Sequence, residues 1–213
     1  MDIANGSHMI GRLCIDDLGL SRGERVLFHG LSVDLDAGEA LALTGANGAG
    51  KTSLLRAIAG FIRPDAGAVR FSEGPGAEIE PETARARHIH LLGHLEGLKG
   101  ARTAREELAF QTAWCGRGGI DSAVEALGLA PLLDLETRKL SAGQRRRLSL
   151  ARLIAAPRAL WLLDEPLAPL DARWRAVATQ LMQDHLAGGG MVIAAVHDPL
   201  DLPCHTLDVG AAS

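Results

Sequence analysis

The chain contains 213 residues, enough for one sizeable domain, because domains commonly run to about 150 residues. Hydrophobic residues make up 47% of it and charged residues 23%, close to ordinary globular usage, which excludes a disordered chain and a small disulfide-stapled fold. Its 22 basic and 26 acidic residues give a net charge of −4, so no overall positive field attracts nucleic acid and no nucleic-acid partner is expected.

The first predicted elements form a hairpin. Residues 1–8 are set aside, because Gly6-Ser7-His8-Met9 resembles the remnant that protease cleavage of an expression tag leaves behind. Over residues 13–33, apolar and polar residues alternate on both sides of Ser21-Arg22-Gly23-Glu24. This pattern is typical of two antiparallel strands joined by a turn. We therefore expect an N-terminal antiparallel β subdomain.

The next predicted elements are buried strands and the helices between them. Three apolar runs lack the alternation of the hairpin, at residues 41–43, 159–163 and 191–196. Such runs are typical of strands that are covered on both faces in a parallel sheet. Apolar residues at helical spacing mark three further segments, at residues 54–58, 148–154 and 174–186. The expected fold class is therefore α/β, with crossover helices.

A helical lobe is expected to interrupt this core. Between residues 98 and 135 the pattern is helical, with a break at residues 116–119 and no strand-like run. We expect a single domain over residues 9–205, with an inserted α-helical subdomain at about 96–152. The longest stretch without polar side chains, residues 186–196, is well short of the roughly 20 residues that span a bilayer, so any membrane role requires a partner.

The cysteines bear on the cellular setting. Cys14, Cys115 and Cys204 are odd in number and widely separated. Their spacing matches no metal site or disulfide framework, and no signal peptide precedes the hairpin. These observations predict a reducing, cytosolic setting.

A glycine-rich loop between a predicted strand and a predicted helix carries the clearest functional motif. This phosphate loop reads Gly45-Ala46-Asn47-Gly48-Ala49-Gly50-Lys51-Thr52 and is followed by Ser53. It satisfies the pattern of a glycine, four residues and Gly-Lys-Thr, whose glycines let successive amides turn toward an anion at a helix N-terminus. Lys51 is expected to neutralise the β and γ phosphates of a nucleotide, and Thr52 to offer a hydroxyl oxygen to Mg²⁺. A plain glycine-rich turn is the alternative.

Two carboxylates, Asp164 and Glu165, follow the apolar run at residues 159–163. They are expected at the carboxyl end of a buried strand, where ligands of open α/β sheets bind. Asp164 suits a magnesium contact, and Glu165 suits the orientation or deprotonation of the water that attacks the γ phosphate. A solvated strand end is the alternative, but the phosphate loop in the same chain favours catalysis.

A third motif indicates the family. The signature segment Leu140-Ser141-Ala142-Gly143-Gln144 precedes Arg145-Arg146-Arg147 and a predicted helix. The phosphate loop, this segment, Asp164-Glu165, Leu170-Asp171 and His197 together resemble, in the same order and over about residues 10–200, the ATP-binding subunits of ABC transporters. The resemblance implies a P-loop NTPase core of the ABC type that binds ATP and Mg²⁺ and hydrolyses ATP to ADP and phosphate.

The resemblance also implies that two copies of the chain share their sites. Ser141 and Gly143 of the signature segment would bind the γ phosphate held by a second copy, Asp171 would lie at the dimer contact, and His197 would sense that phosphate. Simpler interpretations are that Ser141 only caps a helix, that the arginines at residues 145–147 form a solvated face, and that His197 is an ordinary strand-end histidine.

Two positions depart from the pattern of the family. Arg22 stands where the family usually has an aromatic residue that stacks on adenine, and a guanidinium plane can stack there instead. His94 stands where most members have a glutamine that reaches magnesium and water, in a loop expected to contact the membrane partner. A metal site at His88, His90 and His94 is an alternative, since alternate strand residues share a face.

Within the family, residues 92–99, the alanine of the signature segment and the short chain resemble the branch that serves haem export in cytochrome c maturation. This resemblance implies multi-spanning membrane permease subunits of that system as partners, and a peripheral place on the cytoplasmic face of the inner membrane. The alternatives are a subunit of another ABC exporter, a soluble ABC ATPase acting on ribosomes or nucleic acid, and a nucleotide-binding scaffold without turnover.

Overall fold

The computed structural model describes residues 10–74, 76–115 and 119–212, and the expected tag remnant at residues 1–8 lies outside these ranges. The strands are β1 (Arg12–Arg22), β2 (Arg25–Asp36), β3 (Ala40–Thr44), β4 (Ala66–Ser72), β5 (Glu78–Ile79), β6 (Ile89–Leu92), β7 (Leu160–Asp164), β8 (Met191–Ala195) and β9 (His205–Asp208). The helices are α1 (Lys51–Ile58), α2 (Pro81–His88), α3 (Ala104–Cys115), α4 (Ile120–Ala126), α5 (Ala142–Ala155) and α6 (Ala172–Ala187). Short 3-10 helices cover Ala130–Leu132, Thr137–Lys139 and Val209–Ala212.

The predicted hairpin is confirmed as the start of an antiparallel sheet. β1 and β2 pair as far as Arg22 opposite Arg25, and the strand order of the sheet is β2-β1-β4-β5. Gly23 follows β1 with a φ of 62°, a left-handed angle that glycine adopts without strain and that this tight turn requires. Phe28 of β2 is buried in the same cluster as Leu41 of β3, so the two sheets share one core layer.

The three apolar runs form neighbouring strands of a parallel sheet with the order β6-β7-β8-β3-β9. Along β7, Leu160 and Leu162 belong to one buried cluster, whereas Trp161 and Leu163 belong to another. Successive residues of a strand point to opposite faces, so the two clusters cover the two sides of the sheet. This coverage explains why the runs have no alternation, and the predicted α/β architecture is confirmed.

The predicted helical lobe is built from α3, α4 and the first turns of α5. Leu108 of α3, Ala123 of α4 and Leu148 of α5 are fully buried in one cluster. The described residues between 98 and 135 form helices and turns, apart from an isolated bridge between Thr103 and Glu136. Among all the residues that the structure describes, no helix combines the length and the apolar character that crossing a membrane requires.

A solvated basic face is the wrong interpretation for two of the arginines at residues 145–147. Arg146 is only 2% exposed. The Arg147 guanidinium lies 4.2 Å from the ring centre of Trp174, and it donates a 2.8 Å hydrogen bond to the carbonyl oxygen of Leu127. Because α5 packs against α3, α4 and β6, neighbours distant in sequence enclose its basic side chains.

The histidine pattern that suggested a metal site is not on one strand. His88 is the last residue of α2, whereas His90 lies on β6. The His90 Nε2 atom is 2.5 Å from the carbonyl oxygen of Ala156, so its ring is engaged with the backbone. Among the described residues, no three His, Cys, Asp or Glu side chains lie close enough to hold a metal ion. The strand geometry behind the metal alternative is therefore wrong.

Burial of His90 predicts a pH-dependent stability. Burial lowers the pKa of the His90 imidazole from 6.5 to about 3, so the folded chain keeps this ring neutral where the unfolded chain protonates it. The stability that the neutral His90 ring contributes to the fold is fully present above pH 6.5 and is lost as the pH falls toward 3. We expect His90 to make the free energy of unfolding fall by up to about 1.4 kcal/mol per pH unit in that range.

The measurement is urea unfolding between about pH 7 and about pH 5 for the wild type and His90→Gln. The variant should show a shallower fall in the free energy of unfolding with pH. His29→Gln, a change at an exposed histidine, should leave the slope of the wild type unchanged. Equal slopes for the wild type and His90→Gln would contradict the assignment of the effect to His90.

Candidate functional site

The carboxyl ends of neighbouring parallel strands bring four sequence motifs to one edge of the sheet. The phosphate loop follows β3, Glu165 follows β7, His197 lies two residues beyond β8, and His94 lies two residues beyond β6. A cleft of about 720 Å³ opens at this edge, where ligands of open α/β sheets bind. It is lined by residues 46–53 together with Arg22, Asp164, Glu165 and His197.

The phosphate loop needs glycine where its backbone turns sharply. Gly45 has a φ of 122° and Gly50 a φ of 109°, both in the region that disfavours other residues. A Cβ atom on Gly45 would lie 2.9 Å from the Asp208 carboxylate, and one on Gly50 would lie 3.2 Å from the Phe28 ring. Gly50 is also the N-cap of α1, so the positive end of that helix opens into the cleft.

Lys51 is held inside the loop as a nearly buried cation. It is 8% exposed, and its Nζ atom donates to the carbonyl oxygens of Gly45 at 2.6 Å and Ala46 at 3.3 Å. Carbonyl oxygens are neutral acceptors, so these contacts orient the ammonium group without neutralising its charge. An anion that enters the cleft therefore meets a fixed positive charge.

Thr52 and Asp164 form a pair of oxygen donors beside the loop. The Thr52 hydroxyl donates to the Asp164 carboxylate at 3.0 and 3.2 Å, although the two residues are 112 positions apart in sequence. Asp164 ends β7 and is 5% exposed. A hydroxyl and a carboxylate next to a phosphate-binding loop are the donors that Mg²⁺ prefers, so this pair fits the metal that the sequence predicts.

Glu165 and His197 form a second pair in the cleft. The His197 Nε2 atom lies 2.9 Å from the Glu165 Oε1 atom. Glu165 has a φ of 49°, a left-handed angle that strains a residue with a side chain by about 1–2 kcal/mol. Its amide donates to the carbonyl oxygen of Ala195 on β8, which fixes this strained turn in place. Such strain is typical of residues whose orientation matters at a site.

The cleft also has an aliphatic part of its lining, which the sequence analysis missed. Arg22 lines the same cleft as the phosphate loop, and Leu20, Leu27 and Ile62 also line it, together with Arg56. The three aliphatic residues are scattered over β1, β2 and the segment after α1, and no local motif marks them. The wall combines apolar surface with guanidinium groups, which suits a flat heteroaromatic base.

The signature segment and His94 are not part of this cleft. Ser141 is the N-cap of α5, and its hydroxyl oxygen accepts from the Gln144 amide at 3.2 Å while the Gln144 side chain accepts from the Ser141 amide at 2.8 Å. Asp171 caps α6 in a similar way, accepting from the Trp174 amide at 3.0 Å. His94 is exposed in the loop after β6. Within one chain, these predicted site residues therefore lie apart from the phosphate loop.

Comparison with known proteins identifies the family of the chain. The sequence profile described as "ABC transporter" matches residues 28–168. The chain is 49% identical over 194 residues to the cytochrome c biogenesis ATP-binding export protein CcmA of Rhodopseudomonas palustris, covering 90% of this chain and 94% of the relative. It is 44% identical to the CcmA protein of Nitrobacter winogradskyi, covering 95% of this chain and all of that protein.

A solved structure supports the same fold. It is a Pyrococcus furiosus protein described as an ABC transporter ATP-binding protein, which superposes with a TM-score of 0.80 at 20% identity over 95% of this chain and 99% of its own. The phosphate-binding architecture, the profile match and the two close relatives all point to one group. The chain belongs to the ABC transporter family and, within it, to the cytochrome c biogenesis ATP-binding export proteins CcmA.

Proposed function

We propose that this chain hydrolyses ATP to ADP and phosphate in a Mg²⁺-dependent reaction that powers export during cytochrome c biogenesis. The single observation that carries the hydrolysis is the Glu165–His197 pair, which opens into the same cleft as the phosphate loop. A scaffold that only bound nucleotide would not need a carboxylate in a strained backbone turn beside the phosphates.

The phosphate loop binds and orients the triphosphate. The amides of residues 46–50 and the N-terminus of α1 receive the phosphates, and Lys51 places its charge against the β and γ phosphates. Thr52 and Asp164 would hold Mg²⁺, which when bound neutralises charge on the phosphate oxygens. Arg22 would stack on the base, with Leu20 and Leu27 as the apolar wall.

The chemical step is an in-line attack of water on the γ phosphate. Glu165 orients this water and accepts its proton as the bond between the γ phosphorus and the bridging oxygen breaks. His197 holds Glu165 by their 2.9 Å contact and senses the γ phosphate. Phosphoryl transfer depends mainly on positioning and charge neutralisation, which these groups and the loop amides supply.

The site is completed by a second copy of the chain. The signature segment lies outside the cleft of its own chain but presents a helix N-terminus, so in a head-to-tail dimer it closes the cleft of the partner. The Ser141 oxygen accepts a hydrogen bond from Gln144, which leaves its hydroxyl proton to donate to a phosphate. Asp171, at the start of α6, would lie at the dimer contact.

The transport role rests on the relatives. Proteins that are 44–49% identical to this chain are named as export proteins of cytochrome c biogenesis. We propose multi-spanning permease subunits of that system as partners, the exposed loop at His94 and the helical lobe as the surface that contacts them, and a peripheral place on the cytoplasmic face of the inner membrane. We propose that the energy of ATP hydrolysis drives the export or delivery of haem.

The test is capture of partners from detergent-solubilised membranes of the native host, using Glu165→Gln protein with ATP and Mg²⁺ as bait. We expect cytochrome c maturation membrane proteins and a haem absorption band in the retained fraction. The control bait is Lys51→Met, which should bind the triphosphate more weakly and retain less. Recovery of an unrelated permease would overturn the cytochrome c assignment, and ribosomal proteins alone would favour a soluble ATPase.

A further inference from the structure

A buried arginine on α5 holds the loop that carries His94. Arg146 lies in the second turn of α5 and donates a 3.3 Å hydrogen bond to the carbonyl oxygen of Gly93, the residue before His94. The Nε atom of Arg146 has no hydrogen-bond partner among the described residues. Even near carboxylates, a buried charged side chain is often no more stabilising than an apolar side chain of similar size. Packing alone therefore does not explain an arginine at this position.

Two further arginines of α5 hold the other side of the same loop. Arg152 donates a 2.8 Å hydrogen bond to the carbonyl oxygen of Glu96. The Arg145 Nε atom lies 3.9 Å from the Glu96 carboxylate. The backbone is thus tied to α5 on both sides of His94 and Leu95, whose side chains face solvent, with Leu95 84% exposed. We call residues 93–96 the arginine-held loop.

The arginine-held loop begins level with the catalytic edge of the sheet. β6 and β7 pair in parallel with Leu92 opposite Leu163, so Gly93 comes beside Asp164. Neighbouring strands are about 4.8 Å apart, so the loop that Arg146 contacts begins beside the end of the strand that carries the cleft carboxylates.

The charges around Arg146 agree with this placement. Burial lowers the pKa of the Arg146 guanidinium, and the carboxylates of Glu96, Asp164 and Glu165 oppose that shift. Ser141 begins the same helix five residues earlier, about 7.5 Å along the axis at the usual rise. One rigid helix therefore joins the signature serine to the loop beside the catalytic carboxylates.

We propose that Arg146 is a positioning residue that locks the arginine-held loop to α5, so that the loop and Ser141 move as one unit when the nucleotide site closes. The inference rests on the proposed hydrolysis of ATP by a dimer. A displacement of the exposed tip of the loop, at His94 and Leu95, then reaches the signature segment through α5. The same lock carries movement in the other direction when nucleotide draws Ser141 toward the partner.

The test combines Arg146→Met with Ser141→Ala in the purified full-length chain. Methionine fills a similar volume without a charge, and a thermal unfolding curve establishes that Arg146→Met is folded before its kinetics are compared. We expect kcat to fall about 10-fold while the Kd for a fluorescent ATP analogue changes less than about 3-fold. In the Ser141→Ala background, Arg146→Met should cause little further loss, because both changes remove the same positioned contact. Arg146→Lys, which keeps the charge and an ammonium group that can donate to the Gly93 carbonyl, should restore most of kcat.

Arg147→Gln is the matched control, because this neighbouring arginine donates to Leu127 and not to the arginine-held loop. The fold-loss in kcat from Arg147→Gln should be the same with and without Ser141→Ala, so that the two losses multiply in the double variant. The proposal would be overturned if Arg146→Met lowered kcat by the same factor in the wild type and in the Ser141→Ala background. It would also be overturned if Arg147→Gln, like Arg146→Met, lost its effect in the Ser141→Ala background.

A second measurement needs no substitution at residue 146. In the Glu165→Gln protein, ATP with Mg²⁺ should change amide hydrogen exchange in residues 93–96 and in the first turns of α5 together. A change in only one of these segments would overturn the proposal. Hydrolysis by the wild type distinguishes failure of the proposed function from failure of this inference. If the wild type does not hydrolyse ATP, the proposed function fails. If the wild type hydrolyses ATP and Arg146→Met has the same kcat, only the positioning role of Arg146 fails.

Discussion

Replacing Glu165 with glutamine is expected to lower kcat for ATP hydrolysis by about 100-fold or more, the range that removal of a general base produces. Glutamine has nearly the same shape and can still accept a hydrogen bond from the His197 Nε2 atom, which lies 2.9 Å from the carboxylate. The strained turn at residue 165, with its φ of 49°, is also kept. The change therefore removes proton acceptance and little else.

The expected companion of this loss is a trapped complex. ATP should bind with a Kd within about twofold of the wild type, because the phosphate loop and Lys51 are untouched. Since hydrolysis is what separates the two copies in the proposed cycle, the variant should accumulate as an ATP-dependent dimer in light scattering. Glu39→Gln, a change at the end of β3 opposite the phosphate loop and at a carboxylate paired with His205, should retain wild-type kcat. A Glu165→Gln protein with wild-type kcat would show that another group takes the proton.

The parts of the fold that depend on local pattern could be predicted from the sequence. The apolar run at residues 159–163 is fully covered on both faces, so it contains no polar position that would obscure its strand character. The phosphate loop combines a strand before it, a helix after it and a fixed spacing of glycines, and each of these constraints is local. Such features leave few alternatives because every contributing residue lies within one short window.

The parts that depend on packing between distant segments could not be predicted. Three consecutive arginines give no sign that Arg146 is buried, because that depends on the phase of α5 against β6. The aliphatic wall at Leu20, Leu27 and Ile62 is assembled from three separate elements. His88 and His90 have strand spacing, but α2 ends between them, and element boundaries are where sequence patterns carry least information.

A mixture of two strongly impaired variants should recover hydrolysis, because each site is proposed to draw on both chains. Lys51→Met removes the charge that the loop carbonyls hold ready, with the Lys51 Nζ atom 2.6 Å from the Gly45 oxygen. A lost hydrogen bond between charged groups weakens ATP binding by about 1.5–3 kcal/mol, or roughly 10- to 150-fold. Ser141→Ala keeps ATP binding but removes the donor to the γ phosphate of the partner. Each homodimer therefore has two defective sites.

In a mixed dimer the two defects fall together at one site and leave the other site complete. The intact phosphate loop of the Ser141→Ala chain faces the intact Ser141 of the Lys51→Met chain, while the remaining site carries both changes. With random pairing about half the dimers are mixed and half of their sites are whole, so an equimolar mixture should reach about one quarter of the wild-type rate.

The rate would be followed as phosphate release, with each variant alone as the reference. In the control mixture, Lys139→Met, a change at an exposed lysine, replaces Lys51→Met and is combined with Ser141→Ala. This mixture should keep substantial activity even if the chains do not exchange partners, because dimers of the Lys139→Met chain have two complete sites. If the mixture is no more active than its components, the sites are not shared, since sites built within single chains would gain nothing from mixing.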